Sequence, residues 1–197
     1  LLLLLSALIL AAGLLGGYCL RRQAPAEDAD EKLRSSELYL ACQQAIYAEK
    51  LRLSIPMDPA ADPNRTGLIG QEYTFITTTL GNLEAKRTAA NPNMAALFVQ
   101  YFHELGLQAG DRVAMNFSGS FPSMDLAVLC AAETLSLEPV LLCSVGASTH
   151  GANDPELTFP DMLRLLNEQG LLRTVPLGFS MGGLEDRGEE MPEEVKA

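Results

Sequence analysis

Hydrophobic positions run unbroken at the amino end of the chain and become periodic after it. Leu1 to Leu20 contains no charged residue, and about twenty apolar residues at about 1.5 Å rise cover the hydrocarbon core of a bilayer. Residues 1–22 are therefore expected to form a transmembrane anchor. Gln23 to Glu31 is an Ala-, Pro- and acid-rich linker, and from Glu31 the spacing of Leu33, Leu40, Ile46, Leu51 and Leu53 predicts a helix, either a stalk or the first packed helix, so that 23–53 forms one unit. Pro56, Pro59 and Pro63 forbid regular structure between Ser54 and Gly70.

Beyond that loop, strands and helices alternate. Tyr73 to Thr79 is β-branched and aromatic, as an extended segment prefers, and Leu83 to Thr88 predicts a short helix. Asn91-Pro92 reads as a cap followed by proline at the first helical position of a helix reaching about Leu105 and stopping at Gly106. Asp111 to Phe117 follows as a strand, and Phe121-Pro122 opens a helix to about Leu135. Glu138 to Cys143 is a short, almost continuous apolar strand, the kind buried on both faces. Thr158 to Gln169 predicts a helix capped by Thr158, Leu171 to Gly178 a further strand, and a last helix is expected from near Glu189. Strands alternating with helices of this length predict an α/β domain over residues 54–197, a Rossmann-like three-layer fold with a parallel sheet and helices on both faces, preceded by the transmembrane helix. The start on Leu and the acidic finish suggest a fragment at both ends.

Charge narrows the partners. Lys plus Arg total 14 against 25 Asp plus Glu, a net charge of −11, and non-specific nucleic-acid binding needs a basic face that the sequence lacks. Sixteen Gly and eleven Pro without a low-complexity tract exclude a coiled coil. Arg21-Arg22 sits where a cleavable signal needs small neutral residues, and the bulky Tyr18 before Cys19 departs from a lipoprotein signal. The arginine pair favours a cytoplasmic carboxyl side. Cys42, Cys130 and Cys143 lack metal-like spacing and read as small buried hydrophobes; His103 and His150 are far apart, so no metal site is expected.

In such folds ligands bind outside the carboxyl ends of the strands, where helix N-termini also point free N–H groups. Three Ser/Gly loops follow the predicted strands: Asn116 to Ser120, Ser144 to Ser148, and Gly178 to Gly183. Each alone is an ordinary turn sequence; together on one rim they suit a carboxylate or phosphate. Ser118, Gly119, Ser120, Ser144 and Gly146 are the candidate ligand contacts on these loops. Lys86-Arg87, the only adjacent basic pair beyond the linker, could join Thr78 and Thr79 in holding an anion, or could be a solvated helix face. No nucleophile elbow, P-loop or dinucleotide fingerprint is present, and no cofactor is expected. Ser118 and Ser120 are nucleophile candidates in need of a base; His150 and Asp154, on the loop between Ser144 and Pro155, could transfer protons there, or the loop could be ordered by Asx turns.

The residues Gly67-Leu68-Ile69-Gly70, the run Thr77 to Thr88 (TTTLGNLEAKRT), Asn91-Pro92, Ser118-Gly119-Ser120-Phe121-Pro122, and Ser144 to Ser148 through Gly151 to Pro155 resemble the poly-gamma-glutamate system protein family, over about Ala41 to Gly188. The resemblance implies a membrane-anchored component of bacterial capsule or secreted poly-gamma-glutamate synthesis, with a single-pass signal anchor in the cytoplasmic membrane and the soluble domain outside, against the arginine pair. Its implied partners are the synthesis machinery in the membrane and the glutamyl polymer; it implies no established reaction. Two classes of function stay open: an accessory protein with an anion-binding Ser/Gly rim, and a hydrolase or transferase acting on the polymer through Ser118 or Ser120.

Overall fold

The computed structural model describes residues 28–189 and 191–193, together with Gly13. The anchor expected at 1–22 lies, Gly13 apart, outside the described residues, and so does most of the helix expected from near Glu189. None of the described helices is long and apolar enough to cross a membrane.

The elements run α1 (Ala29–Arg52), β1 (Thr77–Thr79), α2 (Leu83–Ala89), α3 (Asn93–Glu104), β2 (Arg112–Ser118), α4 (Pro122–Thr134), β3 (Glu138–Ser144), β4 (Ala147–Ser148), β5 (Asn153–Asp154), β6 (Leu157–Thr158), α5 (Phe159–Glu168) and β7 (Gly178–Ser180), followed by a single 3-10 turn at Leu184–Asp186. The chain is mixed α/β with parallel strand pairing. The main sheet has the order β2-β3-β7, all parallel, and β1 pairs with β4, also parallel. β5 and β6 form a small antiparallel pair.

The caps follow from local chemistry. Asn82 accepts the N–H of Ala85 at 2.9 Å to start α2, and Pro122 occupies the first turn of α4, where a missing N–H costs nothing. The hydroxyl of Thr158 accepts the N–H of Asp161, whose carboxylate in turn accepts the N–H of Thr158, a reciprocal cap on α5.

α4 is the central helix. It meets β2 and β3 on one side and α1, α2 and α3 on others, and its Ala127, Ala131 and Ala132 are fully buried, small enough to let these elements approach closely. α1 is a packed helix and not a stalk: Tyr39, Cys42 and Ile46 are fully buried in the core, and the Tyr39 hydroxyl lies within hydrogen-bond distance of the carbonyls of Ser123 (2.8 Å) and Ala89 (3.0 Å). Burial raises the Tyr39 phenol, so it stays protonated and able to donate. Cys42, Cys130 and Cys143 are free and buried.

The sheet differs from the expectation of helices on both faces. Burial alternates along β2 and β3: Met115, Phe117, Leu141 and Cys143 face the helical core, whereas Ala114, Asn116 and Leu142 are exposed. Among the described residues, the face bearing Leu142 has no covering layer. Val140 and Leu142 made β3 read as buried on both sides, since an apolar residue on an open face is indistinguishable in the sequence from one in a core. The last strand also sits later than expected, at 178–180 instead of 171–178.

Candidate functional site

The main sheet ends in a row of serines. Its register places Ser118 beside Ser144 and Ser144 beside Ser180, three hydroxyl residues in line at the carboxyl ends of β2, β3 and β7. In-register parallel pairing makes this row possible, because equivalent positions on neighbouring strands point to the same side. Above it opens a pocket of about 680 Å³. Ser118, Ser120, Ser144, Gly146, Thr78 and Thr79 all line it, and Asn116, Phe117, Ser180 and the 182–186 turn complete the wall. The three Ser/Gly loops and the β1 threonines therefore converge on one cavity.

The hydroxyls are turned toward donation. Ser118 Oγ accepts the N–H of Ser120 at 3.2 Å, and Ser120 Oγ accepts the N–H of Ser148 at 3.0 Å. Each thus has an acceptor site engaged by backbone, while its hydrogen is uncommitted among the described residues. Such hydroxyls offer donors to a carbonyl or carboxylate. Glycines make the close approaches. A Cβ on Gly146 would lie 2.6 Å from the Met191 methyl and 2.8 Å from the Met181 carbonyl, so the β3–β4 turn could not fold against the 178–183 segment with a larger residue. Gly119 does not line the pocket; its carbonyl accepts the N–H of Ala152 at 2.7 Å and holds the 144–155 loop in place.

Lys86 and Arg87 are not on the rim. Lys86 is buried, 3% exposed; its ammonium donates to Ser148 Oγ at 2.8 Å and to the Thr149 carbonyl. Burial lowers its pKa to about 8. Arg87 points the other way, donating to the Ala61 carbonyl at 2.8 Å, to the Ala60 carbonyl and to Glu84 at 2.6 Å, which fastens the Pro-rich loop to α2. Adjacent helical residues diverge by about 100°, so a basic pair in sequence is not a pair in space.

His150 and Asp154 are also absent from the pocket lining. The backbone of His150 has φ of 60° and bridges loops: its N–H donates to the Gln71 carbonyl at 2.8 Å and its carbonyl accepts from Gly70 at 3.2 Å. Asp154 accepts from Gln71 Nε2 at 2.8 Å and from the Glu156 N–H at 3.0 Å, and beneath it Lys50 is buried against the Ile69 carbonyl. The loop is ordered by turns and cross-links, and no Ser–His–Asp arrangement is assembled. His103 pairs with Glu31 on the surface at 2.6 Å. No cluster of His, Cys, Asp and Glu suited to a metal ion occurs among the described residues.

Pattern reading placed the 178–183 and 144–148 loops at the site but stopped short of two parts of it. One is the continuation of the first loop, where Gly182 and Gly183 take φ of 74° and 76° and Asp186 contributes the only charged side chain in the lining; its Oδ1 also accepts the Gly182 N–H at 3.1 Å. The other is the role of Ser148, which joins Lys86 to Ser120. Comparison with protein-family models, with curated proteins and with solved structures finds no match to the chain, so the reading of the site rests on its own chemistry.

Proposed function

We propose that this chain is a membrane-anchored accessory component of bacterial poly-gamma-glutamate synthesis or export, and that its pocket holds a glutamyl unit of the polymer. Leu1 to Leu20 is the anchor in the cytoplasmic membrane, and the α/β domain stands on the outer side. The family resemblance supplies the pathway; the single observation that supports polymer binding is the in-register serine row beneath the pocket. A γ-linked glutamyl chain offers carbonyl and carboxylate acceptors and amide N–H donors in alternation. The serine and threonine hydroxyls suit the acceptors. Asp186 suits an N–H, and since β2 and β7 flank β3, the 118–120 and 182–186 turns stand at opposite ends of the row. Catalysis is the weaker reading, because neither His103 nor His150 lines the cavity that Ser118 and Ser120 face.

Calorimetric titration of the domain with short γ-linked glutamate oligomers tests this. A neutral hydrogen bond contributes about 1 kcal/mol net, so Ser118→Ala and Ser180→Ala are each expected to lower affinity about fivefold while leaving the melting temperature near that of the parent. Unchanged affinity in the double variant, or no binding by the parent domain, overturns the reading.

A further inference from the structure

The pocket lining contains a carboxylate, Asp186, and no cationic side chain. A cation nevertheless lies just behind it. Lys86 Nζ is 2.8 Å from Ser148 Oγ, and Ser148 Oγ is 3.4 Å from the carbonyl of Ser120, a lining residue. The second ammonium partner, the Thr149 carbonyl, belongs to the strand end that follows Gly146, also in the lining. Gly81 closes the cage: a Cβ there would fall 2.8 Å from Nζ.

The chain has a second buried lysine for contrast. Lys50 is 2% exposed, and its charge is offset by Asp154 and Asp62. Burial lowers Lys86 without a carboxylate to offset it. A buried ammonium with neutral partners only is costly unless a counter-charge completes it. Its cage opens toward the pocket through a serine whose N–H also orients Ser120 Oγ, so the counter-charge has an obvious place to come from.

We infer that Lys86 is the specificity determinant of the pocket: from beneath its floor, through Ser148 and Ser120, it selects a ligand bearing a carboxylate over the same ligand with that group neutral. The ammonium does not touch the ligand. It acts by its field from a buried position, where a unit charge is screened less than on the surface, and by holding Ser148 so that Ser120 donates into the cavity. Asp186, at the far end of the row, is left to take a donor of the same ligand. The ligand class is thus a carboxylate with a neighbouring amide N–H or ammonium. This deepens the glutamyl reading and rests on it only for the polymer.

The test is a ratio. Affinities of the folded domain are measured for a γ-linked glutamate trimer and the same trimer with its free carboxylates amidated, and for the small pair N-acetylglutamate and its diamide, both of which carry an amide N–H. Wild type is expected to prefer the carboxylate of each pair by about tenfold. Lys86→Met should bring that ratio to about one, the carboxylate probes losing far more affinity than the amidated ones, and Lys86→Arg should keep part of it. An unchanged ratio in Lys86→Met, or no preference in wild type, overturns the inference. Should Lys86→Met not melt cooperatively, Ser148→Ala decides: the ratio should fall several-fold, and an unchanged ratio overturns the inference. N-acetylglutamate bound with the Lys86 dependence but no binding of either trimer leaves the inference standing and removes the polymer. No binding of any probe overturns both.

Discussion

A lysine's role is set by what surrounds its ammonium, and Lys86 and Arg87 show how little of that is written in adjacency. Together they read as an anion site or a solvated helix face; in the fold one is buried under the pocket and the other clamps the Pro-rich loop. The difference is titratable. Lys86 has a folded pKa lowered to about 8 from an ordinary 10.5, so between those values the unfolded chain binds the extra proton and stability rises with pH. Below about 8 both states carry the charge and the folded state bears the full burial cost. The urea midpoint should therefore rise less, or fall more, from pH 7 to pH 10 in Lys86→Met than in wild type. Comparing the two proteins matters, because burial raises the Cys130 and Cys143 thiols, and their contribution falls over the same range. Equal pH dependence in both proteins would show Lys86 to be solvated. The serines were legible as candidates because Ser and Gly cluster after predicted strands; the role of Ser148 within its loop was not, since it lies in a contact with Lys86, 62 residues away in the chain.

At the level of elements, local rules worked where ends are capped locally and failed where a distant group intervened. The starts of α4 and α5 follow from Pro122 and from Thr158 with Asp161. The strand expected at 171–178 does not form over that span because Glu133, at the end of α4, captures the N–H groups of Arg173 and Thr174 at 2.9 and 2.7 Å. Burial pushes the Glu133 carboxyl up, but the bonds from Thr174 and Arg173 prevail and hold it low, so those N–H groups are taken by a charged acceptor and pairing with β3 is delayed to Leu177, whose N–H donates to the Leu141 carbonyl at 2.7 Å. β3 illustrates the other limit. Its alternation places fully buried Leu141 beside Leu142, which is 51% exposed. Leu141→Ala should cost about 2–5 kcal/mol, whereas Leu142→Lys should stay within about 0.5 kcal/mol, as for other surface changes. Chemical denaturation of the two variants checks this, and a large loss from Leu142→Lys would mean that the open face is covered in the folded protein.

For the whole molecule, the legible part was the α/β alternation and the gathering of ligand loops at the carboxyl edge of a parallel sheet, which topology dictates once the strands are placed. The burial of Lys86 near that edge was not legible, and it reverses an expectation about salt. A glutamyl oligomer held by exposed Lys and Arg side chains would bind less tightly as ionic strength rises. Here the net charge of −11 repels a polyanion over distances comparable to the Debye length, about 10 Å at 0.1 M, while the interaction with Lys86 takes place behind the pocket floor, where mobile ions enter poorly. Salt screens the first far more than the second. Affinity for γ-linked glutamate oligomers should therefore increase between about 20 mM and 300 mM salt, more steeply for a hexamer than for a trimer because the longer chain carries more charge into the repulsive field, and hardly at all for an amidated trimer. The gain should appear mainly in the association rate, since long-range repulsion acts before contact is made. Titrations across that salt series, with stopped-flow rates at its two ends, decide between the arrangements: affinity falling with salt would mean that a surface cation grips the polymer somewhere other than this pocket.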